Sequence, residues 1–220
     1  MEIIELAKLM LDGLGETMYM VVVSTLLAYV FGLPLGVILA ITDEGGIAEV
    51  KILNKILGFI VNMLRSVPFL ILLVALLPFT RSIVGTTIGS TATIVPLVIG
   101  SAPFIARMVE SSLKEVDGGI IEAVQSMGTP NMQIITKVLI PEAKPSLIMG
   151  AAISITTILG YSALAGFTAG GGLGAIAVNY GYYRYQDDVM LVTVLVLVLI
   201  VQIFQEVGMY ITRKTDKRIR

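Results

Sequence analysis

Five apolar runs separated by polar stretches dominate the chain, at roughly 17–41, 56–77, 88–108, 147–167 and 189–211. A helix crossing the hydrocarbon of a bilayer takes about 20 apolar residues, so each run predicts one span. The fold class expected is an all-α integral membrane protein with five transmembrane helices. A segment 1–16 precedes the transmembrane domain 17–211, a loop 109–146 interrupts it, and a basic tail 212–220 ends the chain. Within that loop the stretch Glu122 to Ala143, EAVQSMGTPNMQIITKVLIPEA, changes period. Asp117 is placed to cap a helix starting at Gly118. Ile120, Ile121, Val124 and Met127 then share one face at helical spacing, while Glu122, Gln125 and Ser126 face away. Gly128 suits a left-handed helix stop. Thr129 suits the next N-cap and Pro130 the first helical residue. That second helix is predicted to run through Gln133 and Lys137 to Ile140, where Pro141 bends the chain towards the fourth span. The loop reads as helix, sharp turn, helix. Its first helix, about ten residues, is too short to be stable alone. Two readings stay open from the residues: an interfacial helix resting on its own bundle or on lipid, or a helix docking into a partner.

Composition fits the membrane reading. The chain is 56% hydrophobic and 14% charged, where a soluble domain carries about 25% charged residues. A net charge of −1 offers no bulk attraction for nucleic acid. With no Cys and no His there are no disulfides, no thiolate or imidazole metal sites, and no His- or Cys-based catalysis. The first sixteen residues carry four acids and one Lys, the wrong charge for a signal peptide.

Charge also orients the spans. One set of flanks holds Lys51, Lys55, Arg107, Lys114, Lys137, Lys144, Arg213, Lys214, Lys217, Arg218 and Arg220; the other holds Lys8, Arg81 and Arg184. Eleven against three predicts an external N-terminus and a cytoplasmic C-terminus, with the loop at 109–146 inside. Tyr180, Tyr182, Tyr183 and Tyr185 then fall at the outer boundary, where aromatic side chains anchor.

Several spans carry small and hydroxyl residues. Gly32 and Gly36 flank Pro34 in the first, a spacing that lets helices approach closely. Pro96, Gly100, Ala102 and Pro103 repeat the idea in the third. Ser154, Thr157, Gly160, Tyr161 and Ser162 mark the fourth as a gate or pathway candidate, against ordinary tight packing. Arg65 is the one charge placed well inside a predicted span, a buried charge expected to snorkel or to pair with Glu110. The acids otherwise sit in loops or at span ends, so no carboxylate relay for ion coupling is visible. A potassium-filter sequence and a phosphate-binding loop are both lacking. The run Gly170-Gly171-Gly172-Leu173-Gly174 has no preceding strand and no following Lys-Ser/Thr, so it reads as a flexible turn or external gate. Any energy for pumping has to come from another protein.

The loop resembles the motif of bacterial ABC importer permeases, written E-A-A-x3-G-x9-I-x-L-P. Here it is Glu122-Ala123-Val124, Gly128 and Val138-Leu139-Ile140-Pro141, with the spacing kept and three apolar exchanges. The stretches 65–89, 95–113 and 169–185 are similar to the methionine-import permeases within that family. The resemblance implies that Glu122, Ala123, Gly128, Thr129, Pro130 and Pro141 belong to a helix coupling the chain to a cytoplasmic ATPase. It also implies a homodimer, two copies of that ATPase, an external methionine-binding lipoprotein, and a bacterial inner-membrane location. ATP would be bound by the partner, with no cofactor and no catalytic residue in this chain. The rivals are the same machine carrying another small amino acid or polar solute, an ion-coupled secondary transporter, and an intramembrane enzyme. The last lacks His, Cys and any Ser–Lys pair at membrane depth.

Overall fold

The computed structural model describes residues 3–216, all of whose regular structure is helical. In chain order, α1 is Ile3–Thr42, α2 Lys51–Ser66, α3 Phe69–Ala75, α4 Leu77–Val84 and α5 Ser90–Lys114. Then come α6 Gly118–Ser126, α7 Asn131–Ile134, a π turn Ile135–Leu139, α8 Ile140–Glu142 and α9 Lys144–Leu164. A 3₁₀ turn Ala165–Thr168, α10 Gly172–Ile176, a π turn Ala177–Tyr182 and α11 Asp187–Thr215 complete the chain. Of the predicted basic tail, residues 217–220 lie outside the described residues.

Three of the predicted spans become α1, α5 and α11, and the fourth opens a longer helical run from Lys144 to Tyr182. Helix α1 starts well before its predicted span, because the Leu, Glu, Lys and Ala of residues 3–16 are good helix formers although hydropathy there is low. The second span differs most. It is not one helix: α2 ends at Ser66 and the chain bends before α3 starts at Phe69. Pro68 has no N–H to continue the ladder, and it disfavours the helical region for Val67.

The chain divides into two compact units. One comprises residues 29–66, 102–153 and the described residues from 206 onward. Here Gly32 and Gly36 do what their spacing predicts. A methyl built on Gly32 would lie 2.8 Å from the Ala102 carbonyl oxygen, and one on Gly36 would lie 2.5 Å from that of Ala106. The two glycines let α1 lie directly on the backbone of α5. Leu39, Val61 and Ala106 close the core beneath them, with Leu35 and Leu57 packed alongside. Asn54 Nδ2 donates to the Leu39 carbonyl at 2.7 Å and to Thr42 Oγ1 at 3.2 Å, tying α2 to the end of α1. Gly36→Ala is therefore expected to force α1 from α5 and destabilise the protein by about 1–3 kcal/mol, the range for overpacking. Thermal unfolding in detergent checks it, with Gly118→Ala, which meets open space, as the control.

The other unit comprises the described residues up to 28, with 67–101 and 154–205. It holds the glycine run predicted as a flexible turn or external gate. Gly170 and Gly171 stay outside any helix, while Gly172, Leu173, Gly174 and Ile176 are buried in α10. Glu16 accepts from the Gly172 N–H at 2.6 Å and Thr17 Oγ1 from the Leu173 N–H at 2.9 Å, while a methyl on Gly174 would collide with the Ala163 carbonyl. The glycines serve close packing of backbone on backbone. Alternation and hydropathy do not report that use.

Candidate functional site

The loop after α5 is built as a projecting helix on a braced stalk. Asp117 caps α6, its side chain accepting from the Gly119 N–H at 2.7 Å. No residue of α6 is buried. Glu122 and Ala123 are exposed, and the predicted apolar face is largely uncovered, with Ile120 38% and Met127 73% accessible. Gly128 has φ +74°. The Gly128 N–H donates to the Gln125 carbonyl at 2.9 Å and the Thr129 N–H to that of Val124 at 3.4 Å. This pair of bonds satisfies the last carbonyls of α6 and turns the chain sharply.

The restart lies one residue later than predicted. Pro130, at ψ 142°, is outside α7, and its carbonyl accepts from Gln133 and Ile134 at 2.8 and 3.1 Å. Pro130 is thus the cap, not Thr129, because a proline gives up no N–H in the extended position. Nor does Pro141 end the helical run. The Ile140 N–H reaches back five residues to the Ile135 carbonyl, and this wider turn lets the backbone pass through Pro141 into α9.

Behind α6 stands an ionic brace. Arg107, Glu110 and Lys114 recur along one side of α5 at helical spacing. Glu110 is buried, its side chain 7% exposed, and accepts from Arg107 at 2.6 Å and from Lys114 at 2.8 Å. Arg107 also donates to the Gly58 carbonyl at 3.0 Å and to Asn62 at 2.9 Å on α2. Lys114 pairs with Asp43, just beyond α1. The hydrogen bond from Lys114 holds the Asp43 carboxyl below its ordinary 3.8, helped by a backbone bond at Glu44. Two elements, α2 and the end of α1, are therefore fastened to the end of α5 from which α6 departs. The spacing of these charges is visible in the sequence, but counting them only as flanks for orientation conceals that Glu110 is shared.

Arg65 corrects an expectation. It is exposed in the last turn of α2, and its guanidinium sits 6.0 Å from the centre of the Phe104 ring. The predicted pairing with Glu110 is not made, since Arg107 and Lys114 already fill that carboxylate.

The pathway candidates all lie on α9. Ser154 and Ser162 are buried, and the Ser162 hydroxyl donates to the Leu159 carbonyl at 2.8 Å. Thr157 is half-buried, Gly160 is exposed, and Tyr161 stacks on Phe69 with ring centres 4.3 Å apart. Among the described residues there is no group of three or more His, Cys, Asp or Glu placed to hold a metal ion.

A family profile described as "Binding-protein-dependent transport system inner membrane component" matches residues 32–220. The chain belongs to this family. It is a multi-pass transport component of the inner membrane. The probable D-methionine transport system permease protein MetI of Vibrio cholerae is 49% identical over 212 residues, covering 96% of this chain and 94% of that one. The D-methionine transport system permease protein MetI of Escherichia coli K12 is 51% identical over 158 residues, 72% of this chain and 73% of that one. A chain from an inward-facing crystal form of the MetNI methionine ABC transporter superposes with a TM-score of 0.96 at 46% identity, covering 99% of this chain and all of the other.

Proposed function

We propose that the chain is the membrane permease of an ATP-driven methionine importer. Two copies form the pathway, two copies of a cytoplasmic ATPase drive it, and an external binding lipoprotein delivers the cargo. The near-complete superposition on a chain of a solved methionine ABC transporter carries the reading. The exposed α6 with its hard Gly128 stop supports the ATPase as occupant of that face. Closure of the ATPases would move α6 and shift the pathway between two states, each favoured by its own contacts. Ion coupling is disfavoured because Glu110, the buried acid of α5, is held between two cations rather than free to relay protons. The test is reconstitution with the ATPase and the lipoprotein, followed by ATP-dependent uptake of labelled methionine. Uptake driven by an ion gradient without ATP would overturn it. Stronger competition by another amino acid would reassign the cargo.

The N-terminus is proposed to be external and α6 cytoplasmic. The absence of Cys makes this cheap to check. In intact cells stripped of any outer barrier, an impermeant thiol reagent is expected to label Lys8→Cys, Ser82→Cys and Asn179→Cys, all at exposed positions, and to spare Glu44→Cys and Gln125→Cys. The reverse pattern would invert the topology.

A further inference from the structure

We propose that Tyr161 is a polar contact on the solute's route through the membrane and that Phe69 is its positioning residue; this rests on the importer reading above. Phe69 opens α3 directly behind the break at Pro68 and is buried. Its ring lies nearly parallel to that of Tyr161, the planes 5° apart. Gly100 on α5 leaves the room this requires: a methyl there would come within 3.1 Å of Phe69 Cδ2 and 3.2 Å of Leu72 Cδ2. The Tyr161 ring is thus held by a neighbour that is itself wedged in place.

The hydroxyl at the end of that ring is set apart from the enclosed, unpaired hydroxyls of Ser24, Thr25, Thr80 and Ser101 because Tyr161 is partly accessible. Tyr161 is half-buried, and among the described residues its oxygen has no hydrogen-bond partner. Leaving a hydroxyl unpaired in hydrocarbon is costly, so it has to meet water or a polar solute. The other hydroxyls predicted for the pathway are occupied, Ser162 by the Leu159 carbonyl and both Ser154 and Thr157 by contacts of their own. Beside Tyr161, Gly160 faces open space, so no side chain fills the approach. A phenol both donates and accepts, which suits the charged ends of a zwitterionic amino acid. Phe69 acts through Tyr161, by fixing where that hydroxyl stands.

The experiment uses the full complex in proteoliposomes with the ATPase and the binding protein. Y161F removes only the hydroxyl, and F69L only the stacking partner. Each is expected to raise the ATP hydrolysed per methionine delivered about 3- to 10-fold, the weight of one hydrogen bond. The double variant should be no worse than either single one, since both act through one group. A merely structural role would lower hydrolysis and uptake together. Independently, Y161C should react with a water-soluble thiol reagent, while Leu195→Cys, on the exposed apolar side of α11, should not. A wild-type ratio in Y161F, additivity in the double variant, or a Y161C as inert as Leu195→Cys would overturn the proposal. If the wild-type complex moves no methionine, the cargo reading fails, while Y161C labelling still decides whether Tyr161 faces an aqueous route.

Discussion

Gly128→Val, reconstituted with its ATPase, is expected to insert, dimerise and hydrolyse ATP while importing almost no methionine. The reason is local. Gly128 sits at φ +74°, where a β-branched residue is strained by about 1–3 kcal/mol. Nothing lies within 4 Å of a methyl built there, so the cost is backbone strain and not a clash with the bundle. The strain is relieved by turning α6 relative to α7, and that tilts a helix with no buried residue of its own. A charge reversal on the same helix should fail differently. Glu122→Lys leaves the turn intact and changes only an exposed side chain, so it should weaken ATPase binding first. Pull-down, hydrolysis and uptake measured side by side separate the two. Full uptake by both variants would leave α6 as an interfacial helix without a coupling role.

Glu110→Ala should be the most destabilising change in the ionic brace. It strands Arg107 against α2 and removes a carboxylate shared by two cations. Breaking a buried pair costs about 3–5 kcal/mol, and the low end applies because the Lys114 side chain is 43% exposed. Glu110→Gln should lose less, since its amide oxygen still accepts one bond. Thermal unfolding in detergent reads this directly. Asp43→Asn should cost under 1 kcal/mol at neutral pH, because its pair with Lys114 is largely solvated. The folded carboxyl lies below its ordinary 3.8, so its contribution is complete above about pH 4. It fades as pH falls through that lower value, and Asp43→Asn should match the wild type in stronger acid. A Glu110→Ala protein as stable as the wild type would show the brace to be ornamental.

Hydropathy makes four of the five crossings legible because those helices are long and apolar. The turn at Gly128 is legible because the left-handed stop has a residue-level signature. The cap at Pro130 is missed by one position, since Thr129 suits a cap and Pro130 a first helical turn by residue type, and only the backbone angle at Pro130 moves the start on by one. The break at Pro68 is written in one residue inside an otherwise apolar run, and a window average erases it. The glycines of α10 look like a loop because composition cannot distinguish freedom of the backbone from closeness of approach. Arg65 and Glu110 are matched wrongly because partners across helices depend on which faces meet, and one sequence does not record that.

The break behind α2 also bears on how the chain is made. Sixteen residues rise about 24 Å as a helix, short of the roughly 30 Å of hydrocarbon. This segment carries Lys51, Lys55 and Arg65 and cannot partition into lipid as a finished rod. As the nascent chain leaves the translocon, α1 is ready to enter at once, whereas α2 and α3 have to wait at the lateral gate until neighbouring helices offer them polar company. The second crossing is then the one whose insertion depends most on the rest of the bundle.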